Sequence, residues 1–347
     1  MPSEIVDLSS VATTEQIARF NSKFIPEHRL SDEEFLEWKY RTPTSEGDEI
    51  CLHYGILDRN EIVGEISTQP MRAWINGEWQ PCNYFTDWYV DPNYKGTGRY
   101  LLNHIISQTS SLLACSASER AYSIYQRQNF SLMPIDQRFI FFSRPIGSFV
   151  ATRNSPRRAA RLLQKWSKRP FARIPKFPLE GDLELSEVKS LDPDLLAGWE
   201  SDLPEKTIFV RRETWMFSWL LDKFPFPEFR MMVLSSAGVQ VGYVLLHLRK
   251  KDNGLIEGKI VDLFARGWKQ SHLITLFSEG TRLLIKLGSH IVSYHATHPL
   301  FISLAVDSGF TKTHNHSVIM YGSIAEAMGS GQVNLHITYY DHDEAYY

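Results

Sequence analysis

The sequence predicts a mixed α/β (α+β) chain, each sheet mostly antiparallel and flanked by helices, and it predicts this arrangement twice. Three observations carry that reading. Residues 49–91 form three extended runs broken at Asp58-Arg59-Asn60 and at Asn76-Gly77, the strongest short hairpin signal. A strand–loop–helix–strand–helix–strand order follows to residue 143, with one parallel crossover. Short echoes then recur in the same order: Val63-Gly64 returns as Val241-Gly242, Val90-Asp91 as Val261-Asp262, and Asn129-Phe130 as Gly309-Phe310. Trp38 with Pro43 has an approximate counterpart in Trp219 with Pro225.

Two helices open the chain. Thr13 and Ser31 each stand three residues before Gln16 and Glu34, the capping-box spacing. Ile17, Phe20 and Phe24 give the first helix an apolar face, and Phe35, Trp38 and Tyr40 the second, which Pro43 stops. Strands are expected at 49–58, 61–75 and 78–91. Gly96 and Gly98 sit in a loop entering a helix whose buried face is Leu101, Leu102, Ile105 and Ile106. Leu112–Ser116 reads as a short strand, 118–128 as a helix ending near Asn129, and Arg138–Ser143 as a strand. Residues 1–148 are therefore read as one domain and 183–330 as a second copy. Residues 149–182 form a basic linker containing a helix, with nine Lys or Arg and no acid between Arg153 and Lys176; it reads first as a solvated connector docked on one domain and second as a weak contact with a membrane surface or polyanion. Residues 331–347 form an acidic, aromatic tail.

The composition excludes several classes. The 347 residues are 43% hydrophobic and 22% charged with a net charge of −3, so the chain as a whole is no DNA-binding polycation. No run approaches the ~18 apolar residues a membrane span needs, and Met1–Asp7 lacks a secretory pattern, so a cytoplasmic location is expected. Cys51, Cys82 and Cys115 are few and widely spaced, which suits a reducing compartment and no metal. His295 with His298 and His314 with His316 have ligand-like spacing but read as ordinary polar histidines.

The segment from Val90 to Leu102 carries the chemistry. A long strand ends and a glycine loop, Lys95-Gly96-Thr97-Gly98-Arg99, opens a helix. Glycine lets backbone approach a ligand. Free N–H groups of a first helical turn, with the helix dipole, favour an anion there. Lys95 and Arg99 add cationic donors. The layout suits a pyrophosphate, yet it is neither a Walker loop nor a dinucleotide fingerprint.

With Ser118–Phe130, this segment resembles the GCN5-related N-acetyltransferase (GNAT) superfamily. Lys95–Tyr100 stands where that family has its [Gln/Arg]-x-x-Gly-x-[Gly/Ala] loop. Ser118–Phe130 stands where it has Asn-x-x-Ala-x-x-Leu-Tyr-x-x-x-Gly-Phe; Ala121, Tyr125 and Phe130 match. Lys95 keeps a donor but not the guanidinium fork, and Tyr100 replaces a small residue. The doubled pattern is similar to tandem GNAT proteins of bacterial exopolysaccharide and capsule synthesis.

The resemblance implies two tandem GNAT-like domains and acyl transfer, in the first instance from acetyl-CoA to a small amine such as an amino sugar, by direct attack. It implies a cofactor set of Trp88, Tyr89, Val90, Lys95, Gly96, Thr97, Gly98, Arg99 and Tyr100. Backbone near Trp88 and Tyr89 would pair with pantetheine, and the N–H near Val90 would polarise the thioester. Tyr125 would protonate the leaving thiolate. For a base, Asp87 on the strand face shared with Asn83, Phe85 and Tyr89 comes first, and Glu65 second. Asp91 is assigned to holding the loop. The second copy lacks the cationic Gly-x-Gly, and Ala305 falls where Tyr125 stands, so no acyl-CoA is expected there. Asp341 or Asp343 of the tail could reach an acceptor. Two rival readings are a non-catalytic GNAT-derived scaffold and an aminoacyl-tRNA-dependent transferase.

Overall fold

The computed structural model describes residues 4–26, 28–41, 51–115, 117–143, 181–196, 206–226, 228–251, 254–330, 333–338 and 340. Nearly all of the basic linker, Pro43, Asp341 and Asp343 lie outside the described residues, as do the side chains of His314 and His316.

The first half runs β1 (Ile5–Asp7), α1 (Leu8–Val11), α2 (Thr14–Asn21), α3 (Glu33–Arg41), β2 (Leu52–Asp58), β3 (Glu61–Ile75), β4 (Glu78–Val90), α4 (Thr97–Gln108), β5 (Ser111–Cys115), α5 (Glu119–Arg127) and β6 (Ser131–Phe142). The second runs β7 (Leu183–Val188), α6 (Pro193–Leu196), β8 (Thr207–Val210), α7 (Thr214–Ser218), β9 (Phe229–Ser236), β10 (Val239–Lys250), β11 (Ile256–Ala265), α8 (Gln270–Lys286), β12 (Ile291–Ala296), α9 (Pro299–Asp307) and β13 (Thr311–Gly322). Helix α10 (Ser323–Gly329) and β14 (Asn334–His336) close the described chain.

Local chemistry accounts for many boundaries. Thr13 and Gln16 form the reciprocal capping box of α2. Helix α3 is capped differently from the expectation: the Asp32 carboxylate accepts from Phe35 N–H at 3.0 Å, while the Ser31 hydroxyl donates to the Ile25 carbonyl. Asn76 and Gly77 both have positive φ, 54° and 87°, as a tight hairpin requires, and Asn129 ends its turn at φ 60°.

The strands build one sheet in the order β1-β2-β3-β4-β5-β13-β6-β12-β11-β10-β9-β7. This order is a palindrome: exchanging each strand with its counterpart in the other half leaves it unchanged. The two halves thus relate by a pseudo-two-fold between β13 and β6. Each half gives one strand away. β13 pairs with β5 of the first half, β6 pairs with β12 of the second, and β6 and β13 pair with each other. The expected division into separate domains at residues 148 and 183 is therefore not a division of the sheet. Moreover, β6 starts at Ser131, well before Arg138. Strand β8 adds to the far end of β3, and β14 adds to β8.

Helices α4 and α5 cover one face of β2–β5 through Leu101, Leu102, Ile105 and Tyr125. Helices α2 and α3 cover the other face and share a core with the second half. There Trp38 and Trp219, the echoed pair, stack on each other with ring centroids 3.8 Å apart.

The glycine echo has a packing cause. A Cβ on Gly64 would lie 2.8 Å from Thr97 Cγ2 at the start of α4, and one on Gly242 would lie 2.9 Å from Leu276 Cδ1 of α8. In both halves glycine lets the helix press on the middle strand. Register then fixes the remaining equivalences. Gly64 faces Val90 and Gly242 faces Ala265, so Val90 corresponds to Ala265 and Asp87 to Asp262. The sequence pairing of Val90-Asp91 with Val261-Asp262 is corrected accordingly.

Candidate active site

Strands β4 and β5 are bonded only at Asn83–Leu112 and Tyr84–Leu113. Beyond that point they part, and β4 runs on to Val90 past its last pair with β5. A cavity of about 370 Å³ opens at this parting. Of the expected cofactor residues, Trp88, Tyr89, Val90, Gly96, Gly98 and Arg99 line it; Lys95, Thr97 and Tyr100 do not. Tyr100 is 42% exposed and stands off the cavity, so its bulk does not obstruct the loop. Thr97 is buried against Gly64 instead.

The loop is held from within. Asp91 N–H donates to the Val63 carbonyl, its carboxylate accepts from Asn93 N–H, and its carbonyl accepts from Tyr94 N–H, each at 2.9 Å. This is the stabilising role expected of Asp91. The Tyr94 hydroxyl donates to Asp58 at 2.6 Å and ties the loop to the β2–β3 turn. Gly96, at φ 90°, is the N-cap of α4, with no side-chain cap and no acid in the first turn. The amides of Gly98 and Arg99 therefore face the cavity end with no competing anion. Gly98 is small because a Cβ there would press on Trp88 at 3.3 Å.

Seven lining residues lie outside the expected cofactor set, among them Phe24, Ser118, Arg120 and Ile124. Phe24 stacks on Tyr89 at 5.6 Å and walls the cavity from the α2 side; its helical spacing with Ile17 and Phe20 had marked it as core. Ser118 caps α5 and lines the mouth with Arg120 and Ile124. The cue was Ser118 followed by a cation in the first helical turn. Among the described residues, two arginines and no carboxylate or imidazole line the cavity, a donor set that fits a phosphate-bearing ligand.

A β-bulge reshapes the expected face. Ile66 pairs with Trp88 and Thr68 with Phe85, so Thr86 and Asp87 both stand opposite Ser67. Phe85 consequently leaves the Asp87 face and packs with Trp88 and Tyr125 under α4 and α5. Asp87 and Tyr89 point the other way, toward α3 and α2.

Asp87 is buried, and its Oδ2 accepts from Lys39 Nζ at 2.6 Å, Tyr40 at 2.7 Å and Ser67 at 2.7 Å. Burial pushes its pKa up, but Lys39 and the hydrogen bonds outweigh that and hold it at about 2. A carboxylate so committed is a poor proton acceptor, which corrects the assignment of Asp87 as general base. Glu65 is also sealed. It bonds His53 Nε2 at 3.1 Å, and burial, the largest influence, raises its pKa. Neither carboxylate lines the cavity.

Tyr125 is buried behind Trp88, centroids 5.5 Å apart, and does not itself line the cavity. Burial pushes its hydroxyl well above the ordinary tyrosine range. In the second half Ala305 occupies the corresponding place, and a single loop glycine, Gly267, precedes α8. His295 bonds Asp136 at 3.2 Å, and His298 caps α9 by accepting from Leu300 N–H. The three cysteines are buried and form no disulfide among the described residues. Among the described residues no group of three or more His, Cys, Asp or Glu side chains is arranged to hold a metal ion, and no helix is long and apolar enough to cross a membrane.

No family model matches the sequence, and no curated protein matches it. Solved structures do. A GCN5-related N-acetyltransferase from Anabaena variabilis superposes with a TM-score of 0.60 at 12% identity, over 92% of this chain and 72% of that one. Saccharomyces cerevisiae N-myristoyltransferase, solved with bound myristoyl-CoA, gives 0.60 at 11% identity, over 92% and 82%. A tandem GNAT protein from the clavulanic acid biosynthesis pathway gives 0.55 at 13% identity, over 92% and 98%. With the palindromic sheet, the parted strands and the glycine-led helix, these matches give this chain the GCN5-related N-acetyltransferase fold in its tandem form.

Proposed function

We propose that the chain is an acyl-CoA-dependent N-acyltransferase whose first half holds the acyl-CoA. One observation carries the reading: the cavity where β4 and β5 part is closed by the uncapped N-terminus of α4 and, among the described residues, lined by two arginines and no acid. Acyl-CoA supplies a thioester activated toward amines. The amides of Gly98 and Arg99, with the Arg99 and Arg120 guanidiniums, take the phosphates. The open edge of β4 offers backbone groups to an extended arm, as a strand would. Backbone N–H near Val90 stabilises negative charge developing on the thioester oxygen as the amine attacks. Tyr125, one ring behind the cavity wall, is assigned as proton donor to the departing thiolate on the resemblance of its motif. With Asp87 ion-paired and Glu65 sealed, the amine arrives neutral and loses its proton to solvent. Acetyl is the acyl group and a small amine such as an amino sugar is the acceptor in this reading.

Calorimetric titration of acetyl-CoA into the wild type and Gly98→Trp tests it. Binding by the wild type, lost in a variant with unchanged circular dichroism, is expected. A wild type silent toward acetyl-CoA, CoA and longer acyl-CoAs overturns the reading.

A further inference from the structure

The second half has the same parting of strands as the first, and it is filled. Strands β11 and β12 are bonded as far as Ile260–Tyr294, and β11 continues beyond that last pair to Ala265. The register that pairs Asp87 with Asp262 also pairs Ser118 with His298 and Ala121 with Phe301. The small residues that leave room in the first cleft are thus large rings in the second. Trp268, from the loop before α8, joins them.

The remaining space is taken by the C-terminal segment. The His336 ring lies 4.4 Å from Phe301 and 5.3 Å from Trp268 and stacks on Phe209 at 4.8 Å. All these side chains are buried. The segment is fastened to both lips of the cleft. On the β12 side, the Thr297 hydroxyl donates to the Leu335 carbonyl and accepts from Ile337 N–H at 2.9 Å. On the β11 side, the Thr338 hydroxyl donates to Asp262 at 2.8 Å, and Arg212 donates to Thr338 at 3.2 Å while also bridging Asp262 at 2.9 Å. Thr297 follows the end of β12, and Asp262 sits at the β11 bulge, so Leu335–Thr338 crosses from one parted strand to the other.

We infer that Leu335–Thr338 is an internal pseudo-ligand, occupying in the second half the cleft that acyl-CoA occupies in the first, so that the folded chain takes one acyl-CoA. The equivalence with an acyl-CoA cleft rests on the function proposed above; the occupation of the cleft by the segment does not. The chain has filled with its own backbone and rings a parting that its sheet geometry would otherwise leave open.

Hydrogen–deuterium exchange on the full chain, with acetyl-CoA as probe, separates the two claims. Without ligand, the amides of 335–338 are expected to be protected like those of a core strand. Exchange at the rate of an unstructured chain overturns the inference whatever acetyl-CoA does. Thr297→Val, which keeps the shape and removes both hydrogen bonds, is expected to speed exchange at 335–338 about tenfold; unchanged protection overturns the anchoring. With acetyl-CoA, slowing is expected at 96–100 and none at 261–268, with a calorimetric stoichiometry of one. A stoichiometry of two, or loss of protection at 335–338 on adding acetyl-CoA, overturns the inference. No binding at all overturns the proposed function and leaves the ligand-free result to judge the plug.

Discussion

Replacing Lys39 by Met leaves the Asp87 carboxylate buried with only Tyr40 and Ser67 as donors. Both partners of the ion pair are nearly inaccessible, 3% and 1% exposed, and 2.6 Å apart. Removing one member of such a pair costs about 3–5 kcal/mol; the two surviving hydrogen bonds place this case near 3 kcal/mol. The pH dependence gives a sharper test. In the wild type the folded pKa of about 2 lies below the unfolded value of roughly 4. Asp87 therefore contributes about 2 kcal/mol that is fully present above pH ~4 and is lost as pH falls through the folded pKa. In Lys39→Met, burial raises the folded pKa above the unfolded one. The remaining stability is then greatest at acid pH and falls as pH rises through the new pKa. The gap between the two proteins should widen from about 1 kcal/mol near pH 4.5 to about 3 kcal/mol near pH 7.5 in urea unfolding. Adding Asp87→Asn should restore most of the loss at neutral pH. A gap under about 1 kcal/mol that does not vary with pH would refute the buried-pair account, because that is the behaviour of a solvated pair.

The stack of Trp38 on Trp219 joins the halves, so a double-mutant cycle with Leu at each position should show about 1 kcal/mol of coupling; additive losses would mean the stack is incidental. Gly64→Ala should push the start of α4 off β3 and weaken acetyl-CoA binding about tenfold, since the new Cβ meets Thr97 at 2.8 Å. Gly242→Ala, whose Cβ would meet the Phe264 carbonyl oxygen at 2.7 Å, should instead cost about 1–3 kcal/mol of stability and leave acetyl-CoA affinity alone. The reverse pattern in calorimetry and unfolding would sink the assignment of the first half as the binding half. Tyr125→Phe should lower kcat about a hundredfold with little change in the KM for acetyl-CoA. Full activity across the pH range would remove Tyr125 from the reaction.

Much of the fold was legible because it is written locally. The hairpin at Asn76-Gly77, the capping box at Thr13, the glycine before α4 and the turn at Asn129 each depend on a few adjacent residues. The expected loop residues that line the cavity were found for the same reason. What escaped was non-local. Nothing in Ser131–Phe142 says that it will pair with β12 and β13 rather than return to β5, because an apolar strand suits any neighbour of matching pattern. The bulge at Thr86-Asp87 adds a residue without a sequence mark, and a period of two read through it places Phe85 on the wrong face. The partners that disqualify Asp87 as a base come from Lys39 and Tyr40, on a helix 47 residues earlier. Trp268 and His336 gave no signal, and His298 reads as an ordinary polar histidine, because the three meet only after the second half has closed on its own C-terminal segment.

The strand exchange also bears on why the second copy persists without a cofactor loop. Strand β5 is buried along its whole length and bonds β4 at only two positions, since the cavity requires the strands to part. Its other edge is satisfied by β13 through five successive pairs, from Cys115–Val318 to Ser111–Gly322. Without β13, the strand that forms one wall of the parting would present a buried edge of unpaired N–H and C=O groups. The second half in turn needs β6 beside β12. The exchange rests on backbone pairing and on apolar faces and needs no cofactor loop in the second half. Loss of the second half would strip β5, the strand that parts from β4, of its pairing with β13, so sheet geometry alone is reason to retain it.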